Sequence, residues 1–451
     1  MNDEILKNQL TEILNMPDTS EINITKETEN NTNNIINRED KEDNATNRDE
    51  DKDDLATRQS LASILNSNTD YHVDLKLPNE DVKKTTEDKS INNSDNNSVN
   101  RPINIPDTSL IHQYLDRNVY FKVYDKIAGL IYGCALGDCL GVTLEGKQLV
   151  DIQNSNMKPI TDLPNSDYRG ILKGDWSDDT DHLILLLDHL KDTKFNFSKQ
   201  DYSKRLHHWN KHGFDDLGDQ IGAGLDNYTR QVLSHNAFLS NPFDAVKQTH
   251  LLKEKSSPFN CSLTRTALLA LHPDWMKLSM HLCAITHIDI RCIFVCWMYT
   301  ALCRCLLKNI IPTDEYLFNC APMYLKNSLL LDEFIKFQKI YTGNIDKMLK
   351  LLYLGDETGM RHVYKAFGAA YYMVRLIREA VKYNSHLDFK TVVLEIVNQG
   401  GDTDTNAALA GQVYGAYYGY RSLPVDWLNK LINKQWLDTK LIHFFELYKT
   451  L

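Results

Sequence analysis

From Tyr120 onward, apolar residues recur every three or four positions, the spacing of helices that bury one face. The spacing predicts helices over 122–136, 180–191, 201–212, 216–233, 262–271, 275–287, 290–307, 360–382, 388–397, 405–418 and 425–433. Strand-like alternation is scarce. Prolines at 159, 164, 242, 258, 312, 322 and 424 punctuate the pattern. The expected fold is all-α: a compact, multi-helical orthogonal bundle with a central cleft and functional loops between helices.

Ahead of Tyr120 the pattern thins out. Tyr71 is the only aromatic residue among positions 1–110, and no glycine precedes Gly129. Residues 1–100 carry 23 Asp and Glu against 11 Lys and Arg, so the chain's net charge of −11 originates there. Such a stretch buries too little apolar surface to offset the entropy of ordering it. Residues 1–117 are therefore expected to be a disordered, acidic, Asn-rich arm, and 118–451 the folded domain. Two short repeats interrupt the arm: Leu6, Leu10, Ile13 and Leu14, then Leu61, Ile64 and Leu65. They read either as a pair of helices that fold on a docking partner or as accidental periodicity in a solvated tail.

Charge narrows the possible partners. No basic block appears, which disfavours direct contact with nucleic acid. The start, Met1-Asn2-Asp3-Glu4, is acidic and lacks the apolar run of a secretory signal. Uninterrupted apolar runs such as Leu183–Leu187 are too short to span a bilayer, so no membrane partner is expected. The nine cysteines then read as reduced thiols of a cytoplasmic protein, with the nucleus also open. Cys292, Cys296 and Cys303 fall at helical spacing in an apolar run, as core residues do, rather than in the tight loop pairs of a zinc site.

Two acidic clusters carry the chemistry. Gly174-Asp175-Trp176-Ser177-Asp178-Asp179-Thr180-Asp181 and Gly400-Gly401-Asp402-Thr403-Asp404-Thr405 each put carboxylates and hydroxyls just before an apolar helical run. Hard divalent cations take such oxygens. Ser and Asp also cap helices, which is enough to account for a lone Ser-Asp-Asp. Four acids within Asp175–Asp181 repel one another, and a cation relieves that cost. Asp402 and Asp404 are two apart, so an extended stretch would aim both to one side; an Asx-turn with an N-cap is the plainer alternative. Glycines at 129, 133, 137 and 141 mark one close-packed helix face. Glu145 follows it, either as a loop carboxylate reaching over a site or as a surface glutamate.

Together these pieces resemble the ADP-ribosylglycohydrolase family from near Tyr120 to near Leu451. The resemblance implies hydrolysis of the glycosidic bond between C1″ of ADP-ribose and an acceptor. That acceptor is a protein arginine or serine, or the acetyl group of O-acetyl-ADP-ribose. It also implies two Mg²⁺ or Mn²⁺ ions, with Ser177, Asp178, Asp179, Asp402, Asp404 and Thr405 as ligands and Asp404 bridging. Glu145 matches the family's mobile glutamate, and Glu145 or Asp178 would be the general base or acid. Asn260-Cys261-Ser262-Leu263-Thr264-Arg265 resembles the loop whose N–H groups face the diphosphate, with Cys261 where the family has glycine. His287, in Thr286-His287-Ile288-Asp289, resembles the histidine of the ADP-ribose pocket. The implied partner is an ADP-ribosylated protein or an ADP-ribose derivative. Cys261 and the bulky His182 leave room for the alternative, a catalytically inactive ADP-ribose-binding module.

Overall fold

The computed structural model describes residues 109–154, 159–168, 170–252 and 258–450. The two expected docking segments lie outside them. The architecture is all-α; the only β pairing among the described residues is three isolated bridges. Seven helices position the site: α1 (Leu110–Arg117), α2 (Phe121–Gly141), α3 (Asp178–Asp192), α4 (Ile290–Leu307), α5 (Val363–Lys382), α6 (Thr403–Tyr418) and α7 (Lys434–Tyr448).

Helices α2 and α6 form an antiparallel pair at the centre. Gly129 faces Gly415, Gly133 faces Gly411, Gly137 faces Ala407, and Gly141 faces Asp404. A Cβ on any of these α2 glycines would overlap backbone atoms of α6, and one on Gly411 or Gly415 would overlap a carbonyl of α2. The helices therefore touch backbone to backbone, closer than ordinary packing through side-chain ridges allows. The register places the C-terminal end of α2, and Glu145 just beyond it, against the first turn of α6.

The other helices hold this pair. Tyr299 of α4 donates its hydroxyl to the Leu409 carbonyl at 3.0 Å and to Gln412 Oε1 at 2.6 Å, both on α6. Tyr132 of α2 donates to the Lys434 carbonyl at 3.1 Å and to Asp438 of α7. Both α2 and α4 are apolar nearly all round, as fully buried helices are. By length and composition Phe121–Leu144 and Ile290–Leu307 are apolar enough to cross a membrane, which a search for uninterrupted runs overlooks. Here 94% and 78% of their apolar windows are buried inside the fold, so they are core helices.

The folded unit starts earlier than expected. In α1, Ile111 and Leu115 are fully buried, and Tyr114 donates to Glu446 Oε1 of α7 at 2.7 Å. The domain boundary expected after residue 117 therefore falls inside the fold. The helix expected over 216–233 begins only at Asn227, capped by Asp226. Gly213, Gly218 and Gly224 in left-handed conformations keep the preceding segment in turns. The stretch 262–271 splits into an α-turn, Leu263–Thr266, and a 3₁₀ turn, Ala267–Leu271. Of 425–433, only Val425–Leu428 is α-helical.

Several helices went unpredicted, among them Leu149–Asn154, Pro242–Leu252, Ser328–Thr342, Ile345–Leu352 and α7. In Ser328–Thr342 only Phe334 and Tyr341 are buried, while Leu329 is 76% exposed, so apolar residues on both faces blur the period. In α7 the spacing of Leu437, Leu441, Phe444 and Phe445 carried the signal.

Replacing Gly133 by Ala is expected to cost about 2–3 kcal/mol or more, because the new methyl overlaps a backbone carbonyl that cannot rotate away. Urea unfolding measures it, with Gly359→Ala, where the backbone is not left-handed and a Cβ meets only the side-chain ends of Asp356 and Lys365 at 3.2 Å or beyond, as the comparison. Equal losses in the two variants would show that the seam is not tightly packed.

Candidate active site

The first acidic cluster is organised by a residue that the motif reading missed. Asp138 is fully buried on α2. Its Oδ1 accepts from the Ser177 N–H at 3.0 Å. Its Oδ2 accepts from the Thr180 N–H at 3.0 Å and the Thr180 hydroxyl at 2.7 Å. A carboxylate from a neighbouring helix thus satisfies the free N–H groups at the start of α3. The signal was present: an aspartate inside an otherwise apolar, glycine-spaced helix.

With the cap supplied from α2, the four acids of the cluster divide their work. Asp175 accepts from its neighbour's N–H and from Asn433 Nδ2 at 3.1 Å. Asp181 accepts the indole N–H groups of Trp176 at 2.8 Å and Trp209 at 2.9 Å. Both are structural. Asp178 and Asp179 line the cleft. Ser177 is committed as the N-cap of α3, its Oγ accepting from the Asp179 N–H at 3.4 Å, and it does not line the cleft.

The second cluster is a turn, not an extended stretch. Gly400 and Gly401 have φ of 73° and 85°, and a Cβ on Gly401 would overlap the Leu354 carbonyl. The Gly146 N–H donates to the Gly401 carbonyl at 2.8 Å and the Gly401 N–H to the Lys147 carbonyl at 2.7 Å. This reciprocal pair clamps the Glu145 loop to the turn. Asp402 is the non-helical N-cap of α6, and Asp404 lies in its first turn. That kink, rather than strand alternation, turns both inward. Oxygens of Glu145, Asp402 and Asp404 all lie within 4.8 Å of one another.

Hydrogen bonds join the two clusters. The Thr405 hydroxyl donates to Asp179 Oδ2 at 2.7 Å, and the Thr264 hydroxyl donates to Asp179 Oδ1 at 2.9 Å. Asn260 Nδ2 donates to Asp402 Oδ2 at 2.6 Å. Arg361 donates to Glu145 Oε1, and its Nε lies 3.5 Å from Asp402 Oδ1. No motif pointed to Arg361, which sits in a turn just before α5. Five of the six residues read as ion ligands thus border one cleft, together with Glu145 and Cys261. These carboxylate and hydroxyl oxygens make a donor set that fits a hard divalent cation.

The substrate-side residues are more dispersed. The backbone at Cys261 lies outside the left-handed region, so the side chain replacing glycine brings no backbone strain, and it borders the cleft. The Ser262 hydroxyl packs between Cys283 Sγ at 3.3 Å and Cys296 Sγ at 3.4 Å, away from the opening. His287 is buried; its Nδ1 lies 2.8 Å from the Thr286 hydroxyl, and its Nε2 has no hydrogen-bond partner. Its ring sits 5.3 Å from that of Tyr228. Burial pushes its pKa down to about 3, so the ring is neutral. His182 is likewise fully buried, edge-on to Trp209 at 4.7 Å. Asp226 also borders the cleft; its Oδ1 caps the helix Asn227–Ser234, and its Oδ2 is buried without a partner.

Electrostatics follow from this crowding. Burial and then neighbouring carboxylates hold the Asp178 and Asp404 carboxyls well above the usual range. Asp179 moves the same way, with the Thr405 and Thr264 hydroxyls opposing. Such a cluster binds protons or cations in preference to standing fully ionised.

Two acid-bearing helix starts, facing each other across a carboxylate-lined cleft in an all-α domain, define a class of sites suited to divalent cations. The chain belongs to the ADP-ribosylglycohydrolase family, whose model matches residues 121–450. It is accordingly a hydrolase of ADP-ribose linkages. It is 24% identical to an ADP-ribosylarginine hydrolase of Serratia proteamaculans, over 69% of this chain and 76% of that one. Over 69 residues, 15% of this chain and 23% of the relative, it is 44% identical to the ADP-ribosyl-[dinitrogen reductase] glycohydrolase of Rhodospirillum rubrum. An uncharacterized protein of Archaeoglobus fulgidus is 21% identical over 72% of this chain and 97% of its own length. Among solved structures, an ADP-ribosylglycohydrolase-related protein complex superposes with a TM-score of 0.52 at 22% identity, covering 72% of this chain and 99% of that one. That last likeness speaks for the fold alone.

Because the folded cluster keeps protons that the unfolded chain has already released, metal-free protein is expected to lose stability as pH rises above the unfolded carboxylate value of about 4 and through neutrality. His287 works against this trend, since its neutral form favours folding less as pH falls below about 6.5. Melting curves in EDTA across that range, repeated with saturating Mn²⁺, test the balance. The loss at high pH should disappear with the ion, which needs the deprotonated form. A flat or rising EDTA profile would overturn this picture of the cluster.

Proposed function

We propose that this protein removes ADP-ribose from protein arginine, using two divalent cations, Mg²⁺ or Mn²⁺, in the cleft. The carrying observation is the convergence of Glu145, Asp402 and Asp404, joined through Thr405 to Asp179. Asp178, Asp179, Asp402, Asp404 and Thr405 would hold the ions, with Ser177 supporting through the cap of α3. When bound, the ions would supply Lewis acidity and orient the hydroxyls of the distal ribose. Arginine as acceptor is supported by the names of relatives such as the Serratia hydrolase.

The chain's own residues do the rest. The buried carboxylates set a negative field around the ring, which favours a transition state with oxocarbenium character. Glu145 and Asp178, which both border the cleft, would be the carboxyls for proton transfer. One takes a proton from water at a carboxylate oxygen, and the other returns one to the leaving nitrogen. The Leu263 N–H is taken by the Asn260 carbonyl, so the Cys261 and Ser262 N–H groups would be the donors for the diphosphate. Neutral His287, beside Tyr228, belongs to the wall of the nucleotide pocket. The nine unpaired cysteines support a reducing compartment such as the cytoplasm.

Release of ADP-ribose from arginine-linked, serine-linked and O-acetyl substrates, each with Mg²⁺, Mn²⁺ or EDTA, tests the reading. Metal-dependent release from the arginine substrate is expected, and Asp404→Asn should lower it by ~10²-fold or more. Full activity in EDTA would sink the metal reading. ADP-ribose binding without release from any substrate would make the domain an inactive ADP-ribose-binding module instead.

A further inference from the structure

Arg361 is held by its backbone and ion-paired at its tip. Its carbonyl accepts from the Asn260 N–H at 3.2 Å. On either side, Phe259 bridges to His362, and the Val363 N–H donates to the Pro258 carbonyl at 2.8 Å. The loop bearing Asn260 and the turn bearing Arg361 thus form one ribbon. Asn260 reaches from it to Asp402 Oδ2, and Arg361 to Asp402 Oδ1 and Glu145 Oε1. The Arg361 side chain is 29% exposed, whereas those of Glu145 and Asp402 are 12% and 4% exposed.

One guanidinium therefore covers oxygens of two of the three converging carboxylates. A divalent ion held by Asp402 needs an oxygen that the guanidinium covers, and it would sit beside Glu145, which converges on the same point. Both cations cannot sit there together, since like charges at contact distance repel strongly in a buried site. A side chain that is only partly buried has a way out to solvent, and the paired backbone keeps it within reach.

We propose that Arg361 is a built-in competitor for the metal site: a resident counter-cation that neutralises Glu145 and Asp402 and must leave them when a divalent ion loads. It sets the ion concentration at which the site fills. It also couples loading to the release of Glu145, the carboxylate on the loop that Gly146 turns. This rests on the metal reading given above.

The test is calorimetric titration of Mn²⁺ into EDTA-stripped full-length protein, wild type against Arg361→Gln, with melting temperatures measured in EDTA. The glutamine variant should melt lower in EDTA, having lost a buried ion pair, yet bind Mn²⁺ about tenfold more tightly for the loss of one neighbouring positive charge. Unchanged or weaker Mn²⁺ binding would overturn the proposal and leave Arg361 a structural ion pair. Should the glutamine variant not fold, Arg361→Met removes the charge and keeps an unbranched stem to fill the same space. Tighter Mn²⁺ binding in that variant supports the proposal, and wild-type affinity refutes it. Absence of Mn²⁺ binding by the wild type would instead refute the metal reading itself, so the two failures are distinguishable.

Discussion

The glycine seam between α2 and α6 is the contact on which the rest of the structure depends. Backbone-to-backbone packing leaves little slack: sliding by one turn would drive Ala407 or Asp404 into a position that only hydrogen atoms fill. That register sets Glu145 opposite Asp404. Asp138, on the same helix, then fixes where α3 begins and so where Asp178 and Asp179 point. One steric constraint in the core thereby places carboxylates from three separate segments around one cleft.

A cleft of this kind stores electrostatic cost. Burial and mutual repulsion raise the proton affinity of Asp178, Asp179 and Asp404, and the fold answers with neutral donors from Thr264, Thr405 and Asn260. Arg361 adds a full positive charge on Glu145 and Asp402. Neutral donors stiffen the geometry without competing for charge, whereas a guanidinium does both. That difference makes Arg361 a regulator of the site and Asn260 a brace.

Much of the architecture was legible, because α2, α4 and α6 are long, nearly all-apolar or small-residue stretches and α5 carries an apolar face at helical spacing. The acid clusters were legible because carboxylates and hydroxyls stand together just before apolar helical runs, where burial makes unneutralised acids costly. Less legible were helices with apolar residues on their exposed faces, such as Ser328–Thr342. Also hidden was the change from helix to turns over 213–226, where glycine conformations override the apolar spacing. The division of labour inside the first cluster was not legible either. Asp175 and Asp181 look like Asp178 and Asp179 in the sequence, and only their partners, Asn433, Trp176 and Trp209, set them apart.

By itself the sequence determined the helical class, the close-packed glycine face and the acid-rich helix starts, since each follows from local spacing and residue chemistry. Only the tertiary structure decided that Asp138 caps α3, that Asp402 and Asp404 converge through a kink, and that Arg361 lies across Glu145 and Asp402. These are contacts between residues more than 35 positions apart apart from the kink, and even the kink takes its meaning from the distant Glu145. Local pattern carries no information on such distances. They are set by how closely two helix backbones can approach, and that is settled when the core packs.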